Sequence, residues 1–135
     1  MKIIRRTNQD KDFYVLLGPF LARRDIEREI GYRIYDDDGK MWLIAKDAEL
    51  IIGFCYLWEK TGSRYQIGSC YVLESYRQRG VFRNLLANAT RNINSNVTLT
   101  TKNKNLKEML IKEGFTTKQQ KGSFTEYVKG YGVNE

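Results

Sequence analysis

One stretch, residues 64–93, constrains the fold of this chain more than any other. Its first part alternates side chains between two faces and is rich in Tyr, Ile and Val, a pattern typical of a β-strand. Its last part places five apolar residues at helical spacing: Phe82, Leu85, Leu86, Ala89 and Ile93. A short turn containing Gly80 joins the two parts. The sequence therefore predicts a strand–turn–helix unit at the centre of the chain.

The turn of this unit has the composition of an anion site. Arg77, Arg79 and Arg83 surround the start of the helix, and Gly80 allows a tight backbone turn. Free N–H groups and the positive end of the helix dipole meet at a helix N-terminus and favour a bound phosphate. One glycine is weak evidence, however, and the dinucleotide fingerprint and the Walker lysine loop are absent. A bound pyrophosphate and a turn with solvated arginines both remain open.

Composition limits the class of protein. At 135 residues the chain is expected to form one domain, residues 1–135, around a single core. It is 41% hydrophobic, and no apolar run approaches the length that spans a bilayer. The N-terminus lacks the apolar region of a signal peptide, and Cys55 and Cys70 do not have Cys-x-x-Cys spacing. We therefore expect a cytoplasmic protein with reduced thiols and no membrane partner.

Several functional classes are disfavoured by the titratable residues. Histidine is absent, which removes imidazole bases, Ser–His nucleophiles and the commonest metal ligand. The three aspartates at residues 36–38 lack the alternate spacing of a calcium loop, so we predict a solvated turn and no metal site. The formal net charge of +7 suits either nucleic acid or a small polyanion.

The rest of the chain predicts short strands and helices around the central unit. Residues 2–6 are predicted to form an edge strand, followed by helices at 10–17 and 19–31 that Gly18-Pro19 separates. Further strands are predicted at residues 41–45, 50–59, 97–100, 115–118 and 124–128, with another helix before Gly114. We therefore expect an α+β domain with a mixed, mostly antiparallel sheet of about seven strands and about four helices.

The central turn resembles the pyrophosphate-binding segment of the GNAT acyltransferases. The pattern of that family is Gln/Arg-x-x-Gly-x-Gly/Ala after a hydrophobic strand. Arg77 and Gly80 match it, whereas Phe82 stands where the family prefers a small residue. Flanking segments are similar to the family's third strand and to its late Asn-to-Gly-Phe helix, so the likeness covers roughly residues 41–128.

The resemblance implies an acetyl-CoA-dependent N-acetyltransferase, monomeric or homodimeric, with a V-shaped splay between its fourth and fifth strands. An amine of a small molecule, peptide or protein would attack the thioester directly, while main-chain amides near Val72 polarise the acetyl carbonyl. By this resemblance coenzyme A would contact Cys70, Tyr71, Val72, Arg77, Gln78, Arg79, Gly80, Val81, Phe82, Arg83 and Asn103.

The resemblance does not supply the catalytic residues. Leu110 stands where many relatives place a tyrosine acid, and Gln66 where some place a glutamate base. We expect Leu110 to lie on the cofactor-facing side of its helix. Other side chains that could reach the cleft are Tyr65, Tyr56, Glu59 and Tyr127.

Two other functional classes remain open. The substitutions at Gln66, Phe82 and Leu110 fit a catalytically inactive member of the fold that acts as a binding or structural protein. The segment 79–82 is also superficially similar to the basic-aromatic part of an RNA-recognition strand, and the charge suits RNA. Helical periodicity from Phe82 onward opposes that interpretation and disfavours nucleic acid as a partner.

Overall fold

The computed structural model describes residues 1–132. Its seven strands are β1 (Lys2–Arg6), β2 (Lys40–Asp47), β3 (Leu50–Lys60), β4 (Arg64–Val72), β5 (Asn96–Thr101), β6 (Thr116–Lys121) and β7 (Phe124–Gly130). Its four α-helices are α1 (Phe13–Leu21), α2 (Arg24–Ile30), α3 (Val81–Thr90) and α4 (Lys104–Lys112), and a 3₁₀ turn covers Glu74–Tyr76. Within this described part of the chain, no helix is long and apolar enough to cross a membrane.

The strands form one mixed sheet in the order β1-β2-β3-β4-β5-β7-β6. Strands β1 to β4 make an antiparallel meander, and β5 lies parallel to β4 after the crossover through α3. The last two strands form a hairpin in which β7 pairs with β5. The expected α+β fold with a mostly antiparallel sheet is confirmed, and strand ends differ from those expected by only a few residues.

Each face of the sheet carries its own core layer. On β2, Leu43 and Ala45 point to the layer that α3 and α4 cover, whereas Trp42 and Ile44 point to the layer that α1 and α2 cover. This division follows from the alternation of side chains along a strand. A gap in the sheet would therefore connect the α3 side of the molecule with the α2 side.

Strand β4 bends at a β-bulge. Cys55 of β3 lies opposite two residues of β4, Ser69 and Cys70, where the register shifts. Ser69 has a φ of +48°, unusual for a residue with a side chain, and its N–H donates a hydrogen bond to the Tyr32 phenol oxygen at 2.8 Å. The bulge redirects the remainder of β4 and is anchored from the α2 side.

Beyond the bulge, β4 and β5 separate. Their parallel pairing ends at Ile67 and Leu99, although β4 continues to Val72 and β5 to Thr101. The expected splay between the fourth and fifth strands is thus present. It leaves main-chain groups of both strands without a partner across the gap, so this part of the sheet can receive a ligand.

The predicted helix break at Gly18-Pro19 is wrong. Helix α1 continues through Pro19 to Leu21, and Gly18 does not have a left-handed φ. Proline removes one main-chain donor from the helix. The buried side chains of Phe13 and Leu17 pack in the core beneath Trp42, and this burial offsets the lost hydrogen bond.

We predict that Gly18→Ala stabilises the protein. In a continuous helix, glycine lowers the free energy of unfolding by about 0.5–1 kcal/mol relative to alanine. The added Cβ fits, because the nearest atom, Tyr14 Cβ, is 4.0 Å away. The free energy of unfolding in urea should rise by about this amount. A loss of stability would instead show that Gly18 ends the helix in a left-handed conformation.

Candidate functional site

A cavity of about 330 Å³ lies where β4 and β5 separate. It is bounded by α2, the end of β4 with the turn that follows, the start of α3, and the segment from β5 into α4. All of the residues predicted to contact the cofactor line it except Arg79: Cys70, Tyr71, Val72, Arg77, Gln78, Gly80, Val81, Phe82, Arg83 and Asn103. The structure therefore brings the sequence-predicted set together around one cavity.

The N-terminus of α3 faces this cavity without a capping side chain. Gly80 is the N-cap residue with a φ of +83°, and no side chain hydrogen-bonds to the first turn. A Cβ built on Gly80 would meet no atom within 4 Å, so the turn borders open space. The first N–H groups of a helix have no partner inside the helix. Together with the helix dipole, they make this edge of the cavity suitable for an anion.

Arg77 joins the turn before α3 to helix α2. Its Nε donates to the carbonyl oxygen of Val72 at 2.7 Å, and its guanidinium pairs with Glu29 at 2.6 Å. The guanidinium carbon also lies 5.6 Å from the centre of the Tyr71 ring. Three contacts fix this side chain, so it holds the turn in place.

The other two arginines of the turn are more exposed. Arg79 lies over the Tyr76 ring, with 5.7 Å between the guanidinium carbon and the ring centre. Arg83 pairs with Glu113 at 3.1 Å, and its side chain is 59% exposed. Surface ion pairs of this kind contribute little to stability, so Arg83 can change partners at low cost.

Asn103 begins α4 at the edge of the cavity. Its side-chain oxygen accepts a hydrogen bond from the N–H of Leu106 at 2.9 Å, which is a helix N-cap. Leu106 and Met109 then line the cavity with apolar surface. The asparagine that matches the family pattern therefore positions the start of α4.

Tyr32 is the site residue that sequence reasoning missed. It follows α2, lines the cavity, and accepts the N–H of Ser69 at its phenol oxygen. Although Tyr32 as a whole is 37% exposed, its phenol oxygen lies at the bulge, and desolvation there raises the pKa of Tyr32 to about 12, so the group keeps its proton at neutral pH. Within residues 1–132 the phenol donates to no protein acceptor, which leaves its hydrogen available to the cavity. No local motif distinguishes this tyrosine, because its site contact lies 37 residues away.

The structure corrects the expectation for Leu110. This side chain is fully buried in the core on the α3 side and does not line the cavity. The N–H of Phe115 bonds to the Leu110 carbonyl where Gly114 ends the helix, and the packing of Leu110 in this core sets the rotation of α4. The other side chains considered from the sequence, Tyr56, Glu59, Tyr65, Gln66 and Tyr127, do not line the cavity either.

The two cysteines differ in position. Cys55 is buried in the core, whereas Cys70 is half-buried and lines the cavity. Burial raises the pKa of both thiols, so neither is a thiolate at neutral pH. Cys70 therefore contributes shape and main-chain groups to the site.

The comparisons with known proteins now decide the family. The model of the acetyltransferase (GNAT) family matches residues 7–109. The chain belongs to the GNAT acetyltransferase family. No curated protein matches the sequence.

Solved structures of GNAT proteins share the fold at low sequence identity. An aminoglycoside 6′-N-acetyltransferase complexed with coenzyme A has a TM-score of 0.74 and 13% identity, over 96% of this chain and 97% of that one. A GNAT acetyltransferase from Streptococcus pneumoniae gives 0.73 and 16%, over 96% and 100%. An IAA acetyltransferase from Bacillus cereus gives 0.66 and 16%, over 96% and 99%. These likenesses concern the fold.

We predict that Leu110→Tyr destabilises the protein. A larger, polar side chain in this filled core position should lower the free energy of unfolding by about 1–3 kcal/mol. The matched control is Ile111→Tyr on the same helix, where the native side chain is 53% exposed and the change should stay within about 0.5 kcal/mol. Equal urea stability of the two variants would contradict the observed rotation of α4.

Proposed function

We propose that this chain is an acetyl-CoA-dependent N-acetyltransferase that transfers the acetyl group directly to a primary amine. The observation that carries the proposal is the cavity at the separation of β4 and β5, which the uncapped N-terminus of α3 borders. Family membership and the coenzyme A complex of the aminoglycoside acetyltransferase with the same fold support it. The direct test is steady release of free coenzyme A from acetyl-CoA in the presence of a panel of amines.

The pyrophosphate of coenzyme A is proposed to lie over residues 77–83. The N–H groups of Val81, Phe82 and Arg83 provide hydrogen bonds, and Gly80 leaves room for close approach. Gln78 has a φ of +62°, and this second left-handed residue turns the chain tightly before the helix. Arg79 and Arg83 add charge at the rim, whereas Arg77 positions the turn through its contacts with Val72 and Glu29.

The pantetheine arm is proposed to enter the gap between the two strands. There the edge of β4 at Cys70, Tyr71 and Val72 that faces the gap no longer pairs with β5. An extended amide chain can hydrogen-bond to the main-chain groups on this edge that β3 and Arg77 leave free. Leu106 and Met109 cover the arm from the α4 side. This path leads from the α3 face of the sheet to the β-bulge.

Tyr32 is proposed as a hydrogen-bond donor to the leaving group. The acceptor nitrogen attacks the thioester carbonyl carbon, the carbon–sulfur bond breaks, and the phenol O–H hydrogen-bonds to the departing sulfur as negative charge develops there. The coenzyme A leaves as a thiolate, the form its thiol readily adopts near neutral pH, and the amine loses its proton to solvent. The Ser69 N–H holds the phenol oxygen in place through its hydrogen bond.

The inactive alternative shares the cofactor site but has no turnover. The side chains of Gln66 and Leu110 do not line the cavity, and this favours the inactive alternative. Tyr32 supplies a donor from a different element and favours the enzyme. The RNA-binding alternative loses its basis, since Val81 begins a helix and not a strand.

We predict that Gly80→Asp weakens coenzyme A binding at least tenfold, or about 1.4 kcal/mol. The new carboxylate would repel the pyrophosphate at the start of α3. The control is Gly80→Asn, which has nearly the same shape, also tolerates the left-handed backbone and adds no charge. Calorimetric titration should separate the two variants. If they bind with equal affinity, the pyrophosphate does not lie at this turn.

We predict that Tyr32→Phe lowers kcat by about 10²–10³-fold, the usual contribution of one hydrogen-bond donor placed at developing negative charge. The KM for acetyl-CoA should stay nearly constant, because the phenol does not hold the cofactor. Tyr35→Phe is the matched control, since Tyr35 lies in the same loop but is 57% exposed and outside the cavity.

The pH dependence provides a second readout for Tyr32. The rate should rise with pH as the acceptor amine loses its proton. The rate should then stay high up to about pH 10, because the raised pKa of about 12 keeps the phenol protonated over this range. A rate and a pH profile that are unchanged in Tyr32→Phe would contradict this assignment. No coenzyme A release from wild type with any amine would favour the inactive alternative.

A further inference from the structure

We infer that the acceptor amine carries a negatively charged group, a carboxylate or phosphate, which binds in a basic recess beside α2. This inference rests on the proposed function and names the class of its acceptor. The basic recess is lined by the cations Arg24, Arg28, Arg33 and Lys102 and by one carboxylate, Glu27. No sequence motif marks it, because its members come from three separate segments.

The basic recess adjoins the cavity of the site. Tyr32 lines both, so the two spaces meet at its ring. Helix α2 covers one face of the sheet and α3 covers the other. The cofactor pyrophosphate is proposed to lie on the α3 side. An acceptor that approaches the cavity from the outer side of α2, opposite the α3 side by which the cofactor is proposed to enter, passes the basic recess.

The cations of the basic recess have no counter-ion in the described part of the chain. None of the four forms an ion pair there, whereas Arg23, Arg77 and Arg83 each pair with a carboxylate. Arg24 and Arg28 stand four residues apart on α2, so their like charges repel each other. An anion bound between them would relieve this repulsion.

The one carboxylate in the basic recess already accepts a hydrogen bond. Glu27 accepts a hydrogen bond from the main-chain N–H of Ile34 at 3.3 Å, which holds the loop after α2. Glu27 therefore neutralises at most one of four positive charges. A recess with this balance attracts anions and repels a second cationic group on the acceptor.

Lys102 gives the basic recess a fixed wall. It is half-buried at the end of β5, and its stem packs against Gly31, where an added Cβ would stand 3.0 Å from the Lys102 Cε. The stem of Lys102 is thus held between β5 and the C-terminal end of α2. An anionic group on the acceptor can bridge Lys102 and the arginines while the amine extends toward Tyr32.

The inference can be tested with four short primary amines of similar size. β-Alanine carries a carboxylate and 2-aminoethyl phosphate a phosphate, whereas ethanolamine is uncharged beyond its amine and 1,3-diaminopropane carries a second amine. At low salt, kcat/KM should be at least tenfold higher for one or both anions than for ethanolamine, and lowest for the diamine. The two anionic arms show which group the basic recess prefers, and added salt should reduce the preference.

Charge reversal locates the effect. Arg28→Glu combined with Lys102→Glu should abolish the preference for anions and improve the diamine. The control is Arg91→Glu combined with Lys121→Glu, two exposed cations outside the basic recess, with the same change in net charge. This control should keep the preference of the wild type. The affinity for coenzyme A should change less than twofold in both variants, measured by calorimetry.

The outcomes separate this inference from the proposed function. If ethanolamine is acetylated at least as fast as both anions, the inference is wrong and the proposed function stands. Coenzyme A binding with no acetylation of any amine would overturn the proposed activity instead. Retention of the anion preference in the recess variant would also overturn it. Failure of the wild type to bind coenzyme A would overturn the proposed function itself.

Discussion

The site depends on the early end of the pairing between β4 and β5. Three residues of each strand pair in parallel, and then the bulge at Ser69 redirects β4 away from its neighbour. A buried main-chain N–H at such a bend requires a partner, and the phenol of Tyr32 provides it. The cavity and the position of the loop after α2 both follow from this one local break in the sheet.

The two core layers make this break useful. Because each face of the sheet is covered by different helices, a gap between two central strands becomes a passage between two separate surfaces. One surface presents the N-terminus of α3 and the other presents the C-terminal half of α2. A reaction between a large cofactor and an unrelated acceptor benefits from this separation, since each partner can be recognised by its own set of side chains.

Much of the fold could be predicted because it depends on short-range patterns. Alternation located the strands, helical spacing located α3, and Gly80 marked the turn between them. The failures involve contacts between distant segments. Core packing carried α1 through Pro19, and packing against the rest of the core, not the family pattern, set the side of α4 on which Leu110 lies. The contact of Tyr32 with β4 likewise has no local signal.

The ion pair between Arg77 and Glu29 has a further consequence. It links the two surfaces directly, since Arg77 holds the turn before α3 and Glu29 belongs to α2. Any ligand that shifts the Arg77 guanidinium therefore changes the energy of α2 on the opposite face. By thermodynamic linkage the effect is reciprocal, so an acceptor that moves α2 changes cofactor affinity by the same factor.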